Sequence, residues 1–237
     1  GDQPVFLVGS SGVEYSLGMY LRSIGEVPEP QPFTSPGTAD QILIMSGSCA
    51  PPTAEQIRYV LDRGFQGIRL NAAELVAPAT QDAERAHAVR EALSLLAAGH
   101  NVVMFSALGP DDPAIAATKA RLEAIGRDPQ TVSHELGAQQ GIILREIVEQ
   151  SDLQRVCVCG GDTCGYASKQ LGIYALQVII PVAPGAPLCR AFSDNPRFDG
   201  MEISLKGGQN GVADYLARIT YGLQAHEPVP APEADSI

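Results

Sequence analysis

Positive charge is scarce in this chain. Lys and Arg number 16 against 27 Asp and Glu, for a net charge of −11. That balance excludes non-specific binding to nucleic acid or to an anionic membrane, both of which need a basic surface. It leaves room for a small anionic ligand, because a phosphate site can be built from backbone N–H groups and one or two cations. Cysteine is sparse as well, with five in 237 residues. Disulfide frameworks belong to short, cysteine-dense secreted chains. Cys49, Cys157, Cys159, Cys164 and Cys189 are therefore read as reduced thiols of a cytoplasmic protein. No stretch comes near the roughly eighteen consecutive apolar residues that a membrane span requires. The opening "GDQPVFLVGSSGV" has no basic n-region and does not read as a secretory signal.

Several motifs are missing too. Neither G-x-x-x-x-G-K-[ST] nor G-x-G-x-x-G occurs, so there is no P-loop and no standard dinucleotide fingerprint. A dinucleotide oxidoreductase is disfavoured on that ground. The cysteines of "CVCGGDTCGYASKQLG" do not have the spacing of a structural zinc site, which wants two close pairs. C-x-x-C is absent. On a strand, Cys157 and Cys159 face the same way, as two small core residues would.

What is present is an alternation of short apolar runs with stretches of helical spacing. "PVFLVGSSG" is of strand type, and "VEYSLGMYLRSIG" follows with helical spacing and a stop at Gly25. The polar, proline-rich "EVPEPQPFTSPGTAD" reads as a linker over residues 25–39, separating residues 1–24 from a second unit at 40–223. In that unit "QILIMSGSC" is a buried strand running into a turn, and the next helix is expected to take Thr53 as N-cap with Gln56 in capping-box position. "FQGIRLN" and "NVVMFSAL" are strands, with a helix between them ending at Gly99. "GPDDPAIAATKARLEAIGRDP" is expected to be mobile with some helix, before a long helix leads to "QRVCVC". "IYALQVIIPVAPGAP" is a β-branched run that ends in a Pro/Gly corner framing a cleft wall, and "MEISLKGGQNG" is a strand and turn before a closing helix. Residues 224–237 read as a flexible, acidic tail. The expected fold is α/β, a largely parallel sheet with helices on both faces in three α/β/α layers.

Three strand ends share one design: an apolar strand, small residues, then a helix. They are Ser46–Ser48, Gly160–Thr163 and Lys206–Gly211. Ligands of open α/β sheets sit outside the carboxyl ends of the strands. Glycine lets the backbone approach a phosphate, and the helix that follows offers unpaired N–H groups. Ser46 and Ser48 either hydrogen-bond a nucleotide or cap the turn. Gly160 and Gly161 shape the second turn, where Thr163 either caps the helix or offers a hydroxyl. Asp162 is a contact for Mg²⁺ or for ribose, or simply an acid at a helix start. Lys206, before Gly207, Gly208, Gln209 and Gly211, either pairs with a phosphate or sits exposed on a turn.

In order, "VGSSGVEYSL", "LIMSGSCAPPTAEQI", "CVCGGDTCGYASKQLG", "PVAPGAPLCR" and "LKGGQNGVADYL" resemble the C-terminal half of the four-carbon acid sugar kinases. The resemblance spans residues 4–222. It implies an ATP- and Mg²⁺-dependent kinase acting on 3-oxo-tetronates, threonates or erythronates, with an N-terminal domain for the sugar acid and a C-terminal one for the nucleotide. A homodimer is compatible with it. It implies ATP contacts at Ser48 and Ser46, at Gly160–Thr163, and at Gly208 within Lys206–Gly211. Residues 1–24 then read as the end of the sugar-acid domain or as a swapped strand–helix, and this chain alone is expected to bind nucleotide without turnover. Cys164 replaces the family's usual Ser, and "KGGQNG" departs from its K-S-G-N-F-G, which bears on the substrate subgroup. A non-catalytic nucleotide- or metabolite-sensing module would share the same glycine turns.

Overall fold

A computed structural model describes residues 6–29 and 32–231. The chain divides into two units, residues 1–33 and 34–237. In the first, α1 (Ser11–Ser23) ends as expected at Gly25, whose φ is +80°. The N–H groups of Gly25 and Glu26 return to the carbonyls of Arg22 and Leu21, which closes the helix with a Schellman motif. The strand expected before α1 is not found. Residues 1–5 lie outside the described residues, and Phe6–Ser10 is irregular and exposed. A strand needs a neighbour to take its N–H and C=O groups, and this segment has none among the described residues.

The second unit runs β1 (Ile42–Ser46), α2 (Pro51–Leu61), β2 (Gln66–Arg69), α3 (Ala72–Leu75), α4 (Gln81–Ala97), β3 (Val102–Phe105), α5 (Pro113–Ala124), α6 (Val132–Glu149), β4 (Arg155–Cys159), α7 (Gly161–Gln170), β5 (Ile173–Ala183), β6 (Ala186–Ser193), β7 (Glu202–Lys206) and α8 (Tyr215–Tyr221). The seven strands form one sheet in the order β2-β3-β1-β4-β7-β6-β5. The first five in that order are parallel, and β6 pairs antiparallel with both β7 and β5.

The central parallel strands β1, β3 and β4 are covered on both faces and are accordingly almost wholly apolar, as in Ile42–Met45. Leu43, Met45, Met104, Val156 and Val158 pack under α3–α7. Ile42, Ile44, Cys157 and Cys159 pack under α2 and α8. The two cysteines share a face, with sulfurs 4.0 Å apart. The thiol of Cys157 is pushed up by Cys159 beside it and by burial, so it stays protonated.

Three elements differ from expectation. Residues 186–193, where the sequence suggests only the end of a Pro/Gly corner and no strand, form β6, which turns back from β5 through Pro184 and Gly185. Gly185 has φ +69°, a value open to glycine in a two-residue reversal. Residues 113–124 are a complete helix, started by Pro113 and capped by the Asp112 carboxylate, which accepts from the Ala114 N–H. Thr53 is not an N-cap. The cap is Ala50 and α2 starts three residues earlier than expected, because Pro51 suits a first helical position whose N–H has no use.

Glycines bring α6 and α7 close together. A Cβ on Gly137 would lie 2.6 Å from the Tyr166 ring, and one on Gly141 would lie 3.0 Å from the Tyr166 carbonyl oxygen. The segment read as a linker holds at its end to α8: Ser35 Oγ donates to the Gly222 carbonyl and the Ala39 N–H to that of Thr220. In the segment read as a tail, the carbonyls of Gln224 and Glu227 accept from Arg218. Residues 232–237 lie outside the described residues. Among the described residues no helix is long and apolar enough to cross a membrane.

Candidate functional site

The parallel strands all end at one edge of the sheet, and β1, β4 and β7 are neighbours there. Their three turns are consequently side by side and cross-bonded. The Gly47 N–H donates to the Cys159 carbonyl, and the Gly160 N–H to that of Lys206. Ser48 stands in the middle. A Cβ on Gly160 would come 3.3 Å from the Ser48 nitrogen, and one on Gly208 would come 2.4 Å from Ser48 Oγ. Gly160 is required on a second count, since its φ of +116° is poorly accessible to other residues.

α7 starts directly behind this rim. The first N–H groups of a helix have no acceptor within it and carry partial positive charge. Here those groups belong to Gly161, Asp162 and Thr163. Gly161 is exposed, with open space where its Cβ would be.

A cavity of about 490 Å³ opens at the ends of β1, β3 and β4. Its floor includes Gly47, Ser106, Gln140, Gly160 and Thr163, its walls include Ile115, Val132 and Leu136, and Asp162 stands at its margin. Gln140, fully buried, fixes the floor: its amide donates to the Ser46 carbonyl at 3.1 Å and accepts from Thr163 Oγ1 at 3.1 Å. The Thr163 hydroxyl proton is thereby engaged, while its backbone N–H is left free. Sequence reasoning passed over Gln140, although a signal existed. It lies on an apolar helix stripe, four residues after Leu136 and four before Leu144.

The remaining candidate residues divide in two. Ser48, Gly160–Thr163, Gly208 and exposed Gln209 gather at the rim. Ser46, Lys206 and Gly211 do not open onto it. Ser46 is buried, on the α2 side of β1, and its hydroxyl has no partner. Gly211 packs on the Tyr215 ring, with φ +81°. Lys206 is fully buried, and its ammonium donates to Thr53 Oγ1 at 2.8 Å and to the Gly207 carbonyl at 3.0 Å. Cys164 lies below the rim with its sulfur 3.3 Å from the Val158 carbonyl oxygen. Burial pushes its thiol up to about 12, so it is no nucleophile at neutral pH.

A larger, more open hollow of about 710 Å³ lies past Ala114, beside Arg58, Arg69 and Asp112. Three of its charged side chains are already employed. Arg69 pairs with Asp112 at 2.9 Å, and Arg58 donates to the Leu108 carbonyl. Burial raises the Asp112 carboxyl, but the N–H groups of Leu108 and Ala114 and the Arg69 guanidinium outweigh it and hold the group below its ordinary value.

Residues 43–216 match the model of the nucleotide-binding C-terminal domain. The chain belongs to that family, the C-terminal half of the four-carbon acid sugar kinases. A 3-oxo-isoapionate kinase of Paraburkholderia graminis is 36% identical to this nucleotide-binding domain over 218 residues, which are 92% of this chain and 46% of the relative. A 3-oxo-tetronate kinase of Cupriavidus necator is 25% identical over 223 residues, 93% of this chain and 47% of that one. The chain thus spans about half the length of the curated relatives it matches. A Haemophilus influenzae protein of known structure has the same fold, with TM-score 0.60 and 18% identity over 85% of this chain and 44% of its own.

Proposed function

We propose that this chain is the nucleotide-holding half of an ATP-dependent kinase that phosphorylates a hydroxyl of a small sugar acid, of the 3-oxo-tetronate, threonate or erythronate type. The observation that carries the reading is the convergence of three strand-end turns around Ser48, beside a cavity of about 490 Å³. Pockets of roughly 300–1,000 Å³ with apolar walls and a few fixed polar groups are the usual small-molecule sites. Ile115, Val132 and Leu136 form a slot for the base. The N–H groups of Gly161, Asp162 and Thr163 meet the phosphates at the start of α7. ATP supplies the transferable phosphoryl group.

The residues present also fit Mg²⁺, which commonly binds through one or two carboxylates plus substrate phosphates. Asp162 is the carboxylate at the cavity margin. Phosphoryl transfer asks a protein mainly for positioning and charge stabilisation. This half offers both: backbone donors fixed by the sheet edge, and a floor held by Gln140. Ser48 and Gly208 form the side of the rim nearest β7.

The test is calorimetry of the chain with ADP and Mg²⁺. Saturable binding by the wild type, lost in Gly161→Val with the melting temperature preserved, is the expected result. ADP binding that is undiminished in Gly161→Val would overturn the assignment.

A further inference from the structure

We infer that Lys206 and Thr53 act as a positioning pair, turning two backbone N–H groups of the late glycine turn outward to the nucleotide phosphates; the inference rests on the nucleotide reading above. Thr53 is a buried residue of α2, 153 positions before Lys206 in the chain. Its hydroxyl accepts from the Lys206 ammonium at 2.8 Å and donates to the Gly208 carbonyl at 2.7 Å. The ammonium also holds the Gly207 carbonyl, at 3.0 Å. Two successive carbonyls are therefore drawn inward, toward α2 and the sheet.

The geometry of the peptide bond does the rest. Among the described residues every peptide is trans, so each C=O and the N–H of the same unit point in opposite directions. The Gly207 carbonyl shares its peptide with the Gly208 N–H, and the Gly208 carbonyl shares its peptide with the Gln209 N–H. Drawing both carbonyls inward turns both N–H groups outward. Neither has an acceptor among the described residues. Two successive N–H groups on one side form a concave anion cradle. Gly208 must lack a side chain for this cradle to sit against Ser48, since a Cβ would approach Ser48 Oγ to 2.4 Å.

The burial of Lys206 points the same way. A fully desolvated ammonium is costly unless it is compensated, and this one is held by neutral oxygens rather than by a carboxylate among the described residues. Its charge lies directly beneath the turn and favours an anion above it. Gln56, one turn further along α2, extends the grip by donating to the carbonyls of Asn210 and Val212 at 3.0 and 3.1 Å. From the other side Asn210 Nδ2 donates to the Pro184 carbonyl.

Hydrogen exchange of the whole chain, with and without ADP, tests the inference through Thr53→Val, which keeps the shape and removes the hydroxyl. ADP is expected to protect both turns in the wild type. In Thr53→Val the protection at Gly208 and Gln209 is expected to vanish while that at Gly161–Thr163 persists, with ADP affinity reduced about tenfold, the worth of one buried hydrogen bond. Thr53→Ser is expected to restore both. Lys206→Met is expected to lose more ADP affinity than Thr53→Val. Unchanged protection at Gly208 and Gln209 in Thr53→Val would overturn the positioning pair, as would equal loss at both turns, which would mark general damage. A wild-type chain that ADP does not protect at either turn would instead sink the nucleotide reading itself.

Discussion

The turn after β4 takes its shape mainly from what lies next to it in the chain, with Lys206 and Gln140 adding one hydrogen bond each. Gly160 supplies the φ of +116°, and α7 begins at the very next residue. The turn after β7, two strand ends away from β1 on the same edge, is held by side chains from α2 that come 153–156 positions earlier. Both turns lie beside Ser48 at one edge of the sheet, but one is chiefly a local structure and the other a tertiary one. A local turn survives loss of its surroundings and fails when its own residues change. A tertiary turn behaves in the opposite way.

Substitutions can break this contrast from either side. The largest effect is expected at the local turn: Gly161→Val should lower ADP affinity by about 100-fold or more through occlusion of the α7 start, because its side chain enters open space and leaves the fold intact. Calorimetry beside a thermal melt separates the two effects. Gly160→Ala, one residue earlier, should cost about 1–3 kcal/mol of stability by forcing a non-glycine residue into strained backbone, read from a urea titration. Gln56→Leu probes the tertiary turn and should cost about 1–2 kcal/mol for two carbonyls left unsatisfied. Its amide exchange should quicken at residues 208–212 and stay unchanged at 160–164.

A control away from both turns is Asp112. Its folded carboxyl titrates below its unfolded value, so the unfolded chain binds more protons at acid pH. The stability it lends is complete above the ordinary value of 3.8 and fades as pH falls through the folded one. Asp112→Asn should flatten that acid limb in melts taken between neutral and acid pH, without changing the exchange of either turn. The smallest effect is expected of Cys164→Ser, below about 1 kcal/mol, since a hydroxyl can replace the weak thiol donor to the Val158 carbonyl.

The same contrast decides what could be read in advance. The α/β class, the parallel strands, the glycine stops of α1 and α4 and the start of α7 all follow from residues close together in the chain. So did the gathering of Ser48, Gly160–Thr163 and Gly208, because neighbouring parallel strands must end at a common edge. What escaped was settled at a distance. Thr53 and Gln56 carry the pattern of a capping box, but Pro51 starts the helix earlier and leaves both side chains for the β7 turn. Lys206 reads as a direct phosphate partner, or as an exposed lysine on a glycine turn, until the sheet places it buried under α2. β6 was missed because Pro184 and Gly185 mark a corner without saying that the chain returns along its own edge.

Gly141 touches no part of the rim, yet the rim depends on it. Its missing side chain lets the backbone of Tyr166 come within contact range of α6. A methyl group there would press on the Tyr166 backbone and push α7, with Gly161 at its start, slightly away from α6. The aim of the anion-facing donors is therefore calibrated by a vacancy on the neighbouring helix.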